Sequence, residues 1–156
     1  AAAEYMIDDY FLALLKSKAP LLTLHKNILL TEISYATPPV NLGGIAASII
    51  AEGYRPVLAH PERYFFYHRH FDQYRRFREM AFILQVNLLS LTGYYGSGAK
   101  KAARFILEKD LAPLVGTDLH HHYHLGSLTD SKNLSAIHRV LGNKSFNNLD
   151  ALAKQG

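Results

Sequence analysis

Short apolar runs recur along the chain and predict the strands of a buried sheet. Runs of about three to five apolar residues, bounded by Gly and Pro, fit strands covered on both faces in an α/β protein. The predicted strands lie at residues 27–35, 57–59, 81–87 and 111–117. Residues 3–7 are also apolar, apart from Glu4.

Segments with apolar residues at helical spacing separate these runs and predict helices. The first begins after Asp8 and Asp9, which can cap it, and ends before Pro20. Three more are marked by Leu42, Ile45 and Ile49, by Phe71, Tyr74 and Phe77, and by Ala99, Ala102, Ala103, Ile106 and Leu107. A final helical region spans residues 126–141, and the polar residues 143–156 form a short terminal helix or a loose tail. This alternation predicts a parallel α/β architecture.

Composition narrows the class of protein. A chain of 156 residues with 49% hydrophobic and 19% charged residues is typical of one soluble globular domain. No apolar run is long enough for a membrane span, and the first residues lack the features of a signal peptide. The absence of cysteine excludes disulfides, thiolate metal ligands and phosphocysteine catalysis, and it is compatible with a reducing cytoplasm.

Candidate metal ligands follow two of the predicted strands. His60 comes directly after the run at residues 57–59, and Asp118 and His120 come after the run at 111–117. Parallel strands present functional side chains at their carboxyl ends, and residues two apart in an extended chain point to the same side. Glu4 could converge on the same place. Imidazoles and carboxylates without thiols suit Mn²⁺, Fe or Zn²⁺ in a hydrolytic centre.

Arg63, an arginine-rich helix and a histidine-rich loop could each have either a binding role or an ordinary structural one. Arg63 could bind a phosphate or carboxylate, although its spacing fits a surface arginine equally well. The predicted helix around Tyr74 carries aromatic residues beside Arg69, Arg75, Arg76 and Arg78, a combination also found in nucleic-acid-binding proteins. The helical spacing favours aromatic residues in the core and arginines in solvent. The loop of residues 121–124 is mainly polar, and one of its histidines could support the metal ligands. The chain contains no P-loop, Rossmann or G-x-S-x-G motif.

Three segments together carry a resemblance to a known family. They are His60-Pro61-Glu62-Arg63-Tyr64, the stretch from Gln85 to Gly96, and Gly116-Thr117-Asp118-Leu119-His120, with further likeness at Ala3-Glu4-Tyr5 and from Leu30 to Pro39. In this order, they make the chain resemble the metal-dependent bacterial protein-tyrosine phosphatases of capsule and exopolysaccharide systems. These enzymes belong to the polymerase-and-histidinol-phosphatase (PHP) superfamily.

The resemblance implies a fold and a ligand set. The fold would be the C-terminal part of a distorted, TIM-like (β/α)7 barrel that holds up to three divalent metals, with Mn²⁺ expected. By position, Glu4 matches the bridging carboxylate of the family and His60 the ligand of its His-Pro-Glu-Arg motif. Asp118 and His120 match the last ligand pair, and Arg63 matches the arginine that binds phosphate.

One departure from the family pattern affects the expected domain. Complete members open with an H-x-H motif and further ligands, about a hundred residues in all, and this sequence has none of them before Glu4. We therefore expect residues 1–156 to form a single, incomplete PHP domain from a longer phosphatase. Such a fragment could be inactive by itself and prone to form homo-oligomers.

The implied activity is hydrolysis of phosphotyrosine on a protein in the cytoplasm, with a bacterial tyrosine kinase as the expected partner. Binding to nucleic acid and insertion into a membrane are not expected. Two alternatives remain open. One is a PHP phosphoesterase acting on a small ester such as histidinol phosphate, and the other is a metal-binding module without catalysis.

Overall fold

The structure, a computed structural model, describes residues 3–119 and 122–154. Its centre is a sheet of five strands that lie side by side in chain order. The strands are β1 Glu4–Met6, β2 Ile28–Glu32, β3 Arg55–Ala59, β4 Ile83–Asn87 and β5 Leu114–Gly116. Every neighbouring pair is parallel, which confirms the predicted α/β architecture with a parallel sheet.

Helices connect the strands, as parallel pairing requires. They are α1 Asp9–Lys16, α2 Leu42–Ala51, α3 Asp72–Glu79, α4 Gly96–Glu108, α5 His122–Thr129, α6 Ser131–Leu141 and α7 Leu149–Lys154, with 3₁₀ turns at Pro61–Arg63, Phe65–Tyr67 and Leu88–Thr92. The side chain of Asp8 accepts a hydrogen bond from the Phe11 amide at 2.8 Å, so the predicted N-cap of α1 is confirmed. Among the described helices, none combines the length and apolar character needed to cross a membrane.

Three strands are shorter than the apolar runs predict, and the strand expected at 27–35 is limited to Ile28–Glu32. The strand expected from residue 81 begins at Ile83, because Ala81 has a φ of 65° in the left-handed region. The strand expected at 111–117 is limited to Leu114–Gly116. Pro113 precedes it and has no N–H to donate, and Asp118 beyond it has a φ of 46°.

The final helical region is divided into two helices, which corrects the prediction of one region at 126–141. Asp130 lies between α5 and α6, and its Oδ1 accepts hydrogen bonds from the amides of Lys132 and Asn133, both at 3.0 Å. An aspartate in this arrangement caps a new helix rather than continuing an old one. The sequence analysis overlooked this cap.

Alternate residues of each strand pack on opposite faces of the sheet. One face carries residues such as Leu29, Leu58 and Leu84, which pack with helices α1–α4 and α6 in the main core. The other face carries Ile28, Val57, Ile83 and Leu114, which pack against Leu152 of α7. The terminal helix therefore covers the second face near the amino ends of the strands.

The aromatic residues of α3 face the core, as predicted. Tyr74 and Phe77 are fully buried, and the Phe71 ring lies 4.9 Å from that of Phe105. Arg75 and Arg76, on the same helix, are exposed. Arg69, expected to belong to this helix, instead precedes it, because α3 begins at Asp72. This burial leaves the two aromatic residues of α3 unable to stack on a nucleic acid.

Candidate metal centre

Three side chains from the first three strands meet above the sheet. Glu4, Glu32 and His60 each offer a ligand atom, and these atoms all lie within 4.8 Å of one another. The Nε2 atom of His60 is 3.4 Å from Oε1 of Glu4 and 3.5 Å from Oε2 of Glu32. Glu4 pairs in register with Leu30, and Glu32 lies two residues beyond Leu30, so both carboxylates point to the same face.

The backbone at His60 is turned sharply as β3 ends. His60 has a φ of 35° and a ψ of 53°, and it leads into the 3₁₀ turn at Pro61–Arg63. Its amide still donates to the carbonyl of Gln85 on β4, at 2.8 Å. A non-glycine residue in the left-handed region is strained, and such strain concentrates at functional sites. Here the turn places the imidazole beside the two carboxylates.

Buried Tyr64 holds the neighbouring strand ends together. Its hydroxyl donates to the carbonyl of Ala59 at 3.1 Å and accepts from the amide of Ile33 at 3.0 Å. These bonds join the residue that ends β3 to the one that follows β2. Tyr64 therefore adds to the backbone pairing of β2 and β3 in holding Glu32 and His60 beside each other.

The two carboxylates govern the charge of the imidazole. Burial alone would lower the pKa of His60, but hydrogen bonds to Glu32 and Glu4 outweigh it and raise this pKa to about 9. The cluster thus favours a positive charge between two acids. Carboxylate oxygens with one imidazole, and no thiol in the chain, suit divalent Mn, Fe or Zn. These residues fit a divalent metal.

Asp118 and Arg63 form the opposite side of the same cavity. Oδ2 of Asp118 accepts from Nη1 of Arg63 at 2.5 Å and from Nδ2 of Asn87 at 3.4 Å. A cavity of about 460 Å³ is lined by all the residues of the cluster together with Arg63 and Asp118, and also by Tyr35, Tyr95 and His124. Of the predicted site residues, Glu4, His60, Asp118 and Arg63 therefore share one cavity. His120 lies outside the described residues.

Several residues of this cavity were missed by the sequence analysis. Glu32 lies at the carboxyl end of β2, so the rule that selected His60 could have found it. Tyr35 and Tyr95 lie on loops, and only folding brings their rings within 5.1 and 4.2 Å of the Arg63 guanidinium carbon. His124, expected on a loop, lies on α5, and its Nδ1 is 3.2 Å from the carbonyl oxygen of Asp118, so it supports a candidate ligand, as expected of one histidine in this segment.

Glu62, in the same motif as His60 and Arg63, points into the core instead of the cavity. It is fully buried, and burial raises its pKa. Its Oε1 accepts from the Asn87 amide at 2.9 Å and from Oγ of Ser90 at 2.6 Å. It therefore joins the turn after β3 to the turn after β4.

Comparisons with known proteins give a matching family and a similar fold. A family profile described as capsular polysaccharide synthesis, CpsB/CapC, matches residues 2–150. The fold is similar to a chain from the crystal structures of YwqE from Bacillus subtilis and CpsB from Streptococcus pneumoniae, described as unique metal-dependent tyrosine phosphatases. The TM-score is 0.68 at 22% sequence identity, and the match covers 94% of this chain and 65% of that one. The resemblance inferred from the motifs is thereby confirmed: the chain belongs to the CpsB/CapC family of capsular polysaccharide synthesis.

Proposed function

We propose that this chain is part of a metal-dependent phosphatase that hydrolyses phosphotyrosine on protein. The observation that carries the proposal is the convergence of Glu4, Glu32 and His60 in one cavity with Arg63. Family membership and the described activity of the similar structures support the same conclusion. The chain spans 65% of the length of that similar structure, so the activity is assigned to the whole protein.

In this proposal, Glu4, Glu32, His60 and Asp118 hold divalent metal, with His120 as a further ligand and Mn²⁺ as the expected ion. The bound metal supplies Lewis acidity that activates water and offsets negative charge on the phosphoryl oxygens. Arg63 donates hydrogen bonds to the same oxygens as their charge develops. Hydrolysis breaks the ester P–O bond, forms a P–O bond to water, and releases a phenol and phosphate.

The finer architecture and the partner are part of the same proposal. We place the five strands in the C-terminal part of a distorted (β/α)7 PHP barrel, because they are parallel and follow chain order as barrel strands do. Residues 1–156 would then form a single, incomplete domain. The expected substrate is a bacterial tyrosine kinase that regulates capsule or exopolysaccharide synthesis, in the cytoplasm.

Substrate comparison in the full-length protein tests this proposal. We expect a phosphotyrosine peptide to be hydrolysed with a much higher kcat/KM than histidinol phosphate, and we expect a chelator to abolish the activity. Faster hydrolysis of histidinol phosphate would make the protein a small-molecule phosphoesterase. Stoichiometric metal without turnover of either ester would make it a metal-binding module.

A further inference from the structure

Two tyrosine rings lie beside the guanidinium of Arg63, and neither is among the proposed metal ligands. The Arg63 guanidinium carbon is 4.2 Å from the ring centre of Tyr95 and 5.1 Å from that of Tyr35. Tyr35 comes from the loop after β2, and Tyr95 from the turn that begins α4. Both rings line the 460 Å³ cavity that also contains the acidic cluster.

The hydroxyl groups of both tyrosines are close to residues of the site. The Tyr35 hydroxyl lies 3.1 Å from Nδ1 of His60, and the Tyr95 hydroxyl lies 3.5 Å from Nδ2 of Asn87. These contacts anchor the polar end of each ring. The apolar parts of the rings are then held beside Arg63, where they form walls of the cavity.

We propose that Tyr35 and Tyr95 form a subsite for the leaving group that selects aromatic phosphate esters. The inference rests on the proposed phosphatase function. A phosphoryl group bound by Arg63 must place its ester substituent within the same cavity, next to these rings. A phenyl substituent can pack edge-to-face or offset against them, whereas a short alkyl chain offers much less contact area. Selectivity for phosphotyrosine over phosphoserine would thus come partly from Tyr35 and Tyr95.

Variants of Tyr95 separate the ring from its hydroxyl, because Phe retains the ring and Leu removes it. The full-length protein is assayed on two peptides of one sequence, bearing phosphotyrosine or phosphoserine. The quantity compared is the kcat/KM for the phosphotyrosine peptide divided by that for the phosphoserine peptide, relative to the same ratio in the wild type. Tyr10→Leu is the matched control, since Tyr10 lies on α1 and is 76% exposed.

We expect Tyr95→Leu to lower this ratio about 10-fold, the size of one good aromatic contact. Tyr95→Phe and Tyr10→Leu should keep it within about twofold of wild type. A loss by the same factor on both peptides would overturn the proposal, because the ring would then act only by orienting Arg63. An unchanged ratio in Tyr95→Leu would also overturn it.

A binding measurement on the wild-type protein covers the case in which Tyr95→Leu does not fold. Phenylphosphonate and methylphosphonate carry the same head group and are not hydrolysed. Calorimetry gives their dissociation constants without turnover, and we expect phenylphosphonate to bind about 10-fold more tightly; equal dissociation constants would overturn the subsite. Failure of the wild type to hydrolyse either peptide would refute the proposed function, whereas the phosphonate comparison would still decide the subsite.

Discussion

Arg63 connects the acidic side of the cavity to its aromatic side. Its Nη1 lies 2.5 Å from Oδ2 of Asp118, and its guanidinium lies beside Tyr95. The side chain is 21% exposed, so it is held in place but can still reach a ligand from solvent. A planar group with several donors in a fixed arrangement suits a phosphoryl group better than a point charge does.

Arg63→Lys tests whether this geometry matters for catalysis. Lysine keeps the charge but loses the two-pronged donor, so we expect kcat to fall about 10²–10³-fold, or roughly 3–4 kcal/mol, with smaller change in KM. The measurement is kcat and KM on a phosphotyrosine peptide, with metal analysis of each preparation. Exposed Arg76 on α3 provides the control, Arg76→Lys. Unchanged kinetics would exclude Arg63 from catalysis, and loss of metal would make its role structural.

Glu62 is expected to contribute to stability through its hydrogen bonds. Glu62→Ala leaves the Asn87 amide and the Ser90 hydroxyl without their buried acceptor. We expect the free energy of unfolding to fall by about 1–3 kcal/mol for each unpaired group. Glu62→Gln keeps an acceptor oxygen at that place and should remain close to wild type. Urea unfolding of the three proteins checks this expectation. An equal free energy of unfolding for Glu62→Ala and wild type would contradict it.

At the residue scale, the sequence predicted side chains that follow apolar runs better than those that follow loops. His60 and Asp118 were found because strand ends converge, and Glu4 was assigned through the family resemblance; the structure places all three in one cavity. Tyr95 could not be found in this way, since its place beside Arg63 depends on the path of the turn before α4. Glu62 was hidden for another reason: a 3₁₀ turn sends neighbouring side chains in different directions, which spacing alone does not reveal.

The elements position the site through their ends. β2 and β3 end beside each other, and the turn at His60 begins where β3 stops. The parallel direction of the strands was predictable, because helices between the apolar runs are typical of parallel sheets. The ends of strands and helices were less predictable from the apolar pattern. Asp130 caps a new helix within one predicted region, and the left-handed residues Ala81 and Asp118 lie outside β4 and β5.

Docking of α7 should depend on pH through Asp150. Its Oδ1 lies 2.6 Å from Nζ of Lys26 and 2.9 Å from Nε2 of His25, and these hydrogen bonds lower the Asp150 pKa from 3.8 to about 2. Because the folded-state pKa is depressed, the stabilisation is present above pH 3.8 and is lost as the pH falls towards 2. The pairs are exposed, so the effect should be small.

We therefore expect Asp150→Asn to be slightly less stable than wild type at pH 5 and indistinguishable from it near pH 2. Denaturant midpoints at the two pH values provide the measurement. A difference between the two proteins that persists unchanged in acid would show that Asp150 acts other than by its charge.

On the scale of the whole molecule, the sheet is open at both sides within residues 3–119 and 122–154. β1 is hydrogen-bonded to β2 and β5 to β4, so each outer strand has a second edge that no described strand covers. Uncovered edges can pair with another chain. Exposed apolar side chains such as Val40, which is 91% exposed, add surface that favours association.

We expect the 156-residue chain, when produced alone, to self-associate at micromolar concentration. Light scattering coupled to size exclusion gives the molar mass directly, compared with 17.5 kDa for one chain. A monodisperse monomer across a tenfold range of concentration would contradict this expectation and would show that the sheet edges are protected.

The central claim is that Glu4, Glu32 and His60, together with Asp118, hold the metal on which hydrolysis depends. The most direct test is metal content and phosphotyrosine-peptide turnover of the full-length protein with Glu32→Ala, His60→Ala or Asp118→Ala. The control is Glu52→Ala, a change of the same type at an exposed position. The account predicts that the three variants lose metal and turnover together, because ligand loss weakens the whole site, while the control keeps both. Full metal occupancy and wild-type turnover in Glu32→Ala and His60→Ala would contradict it.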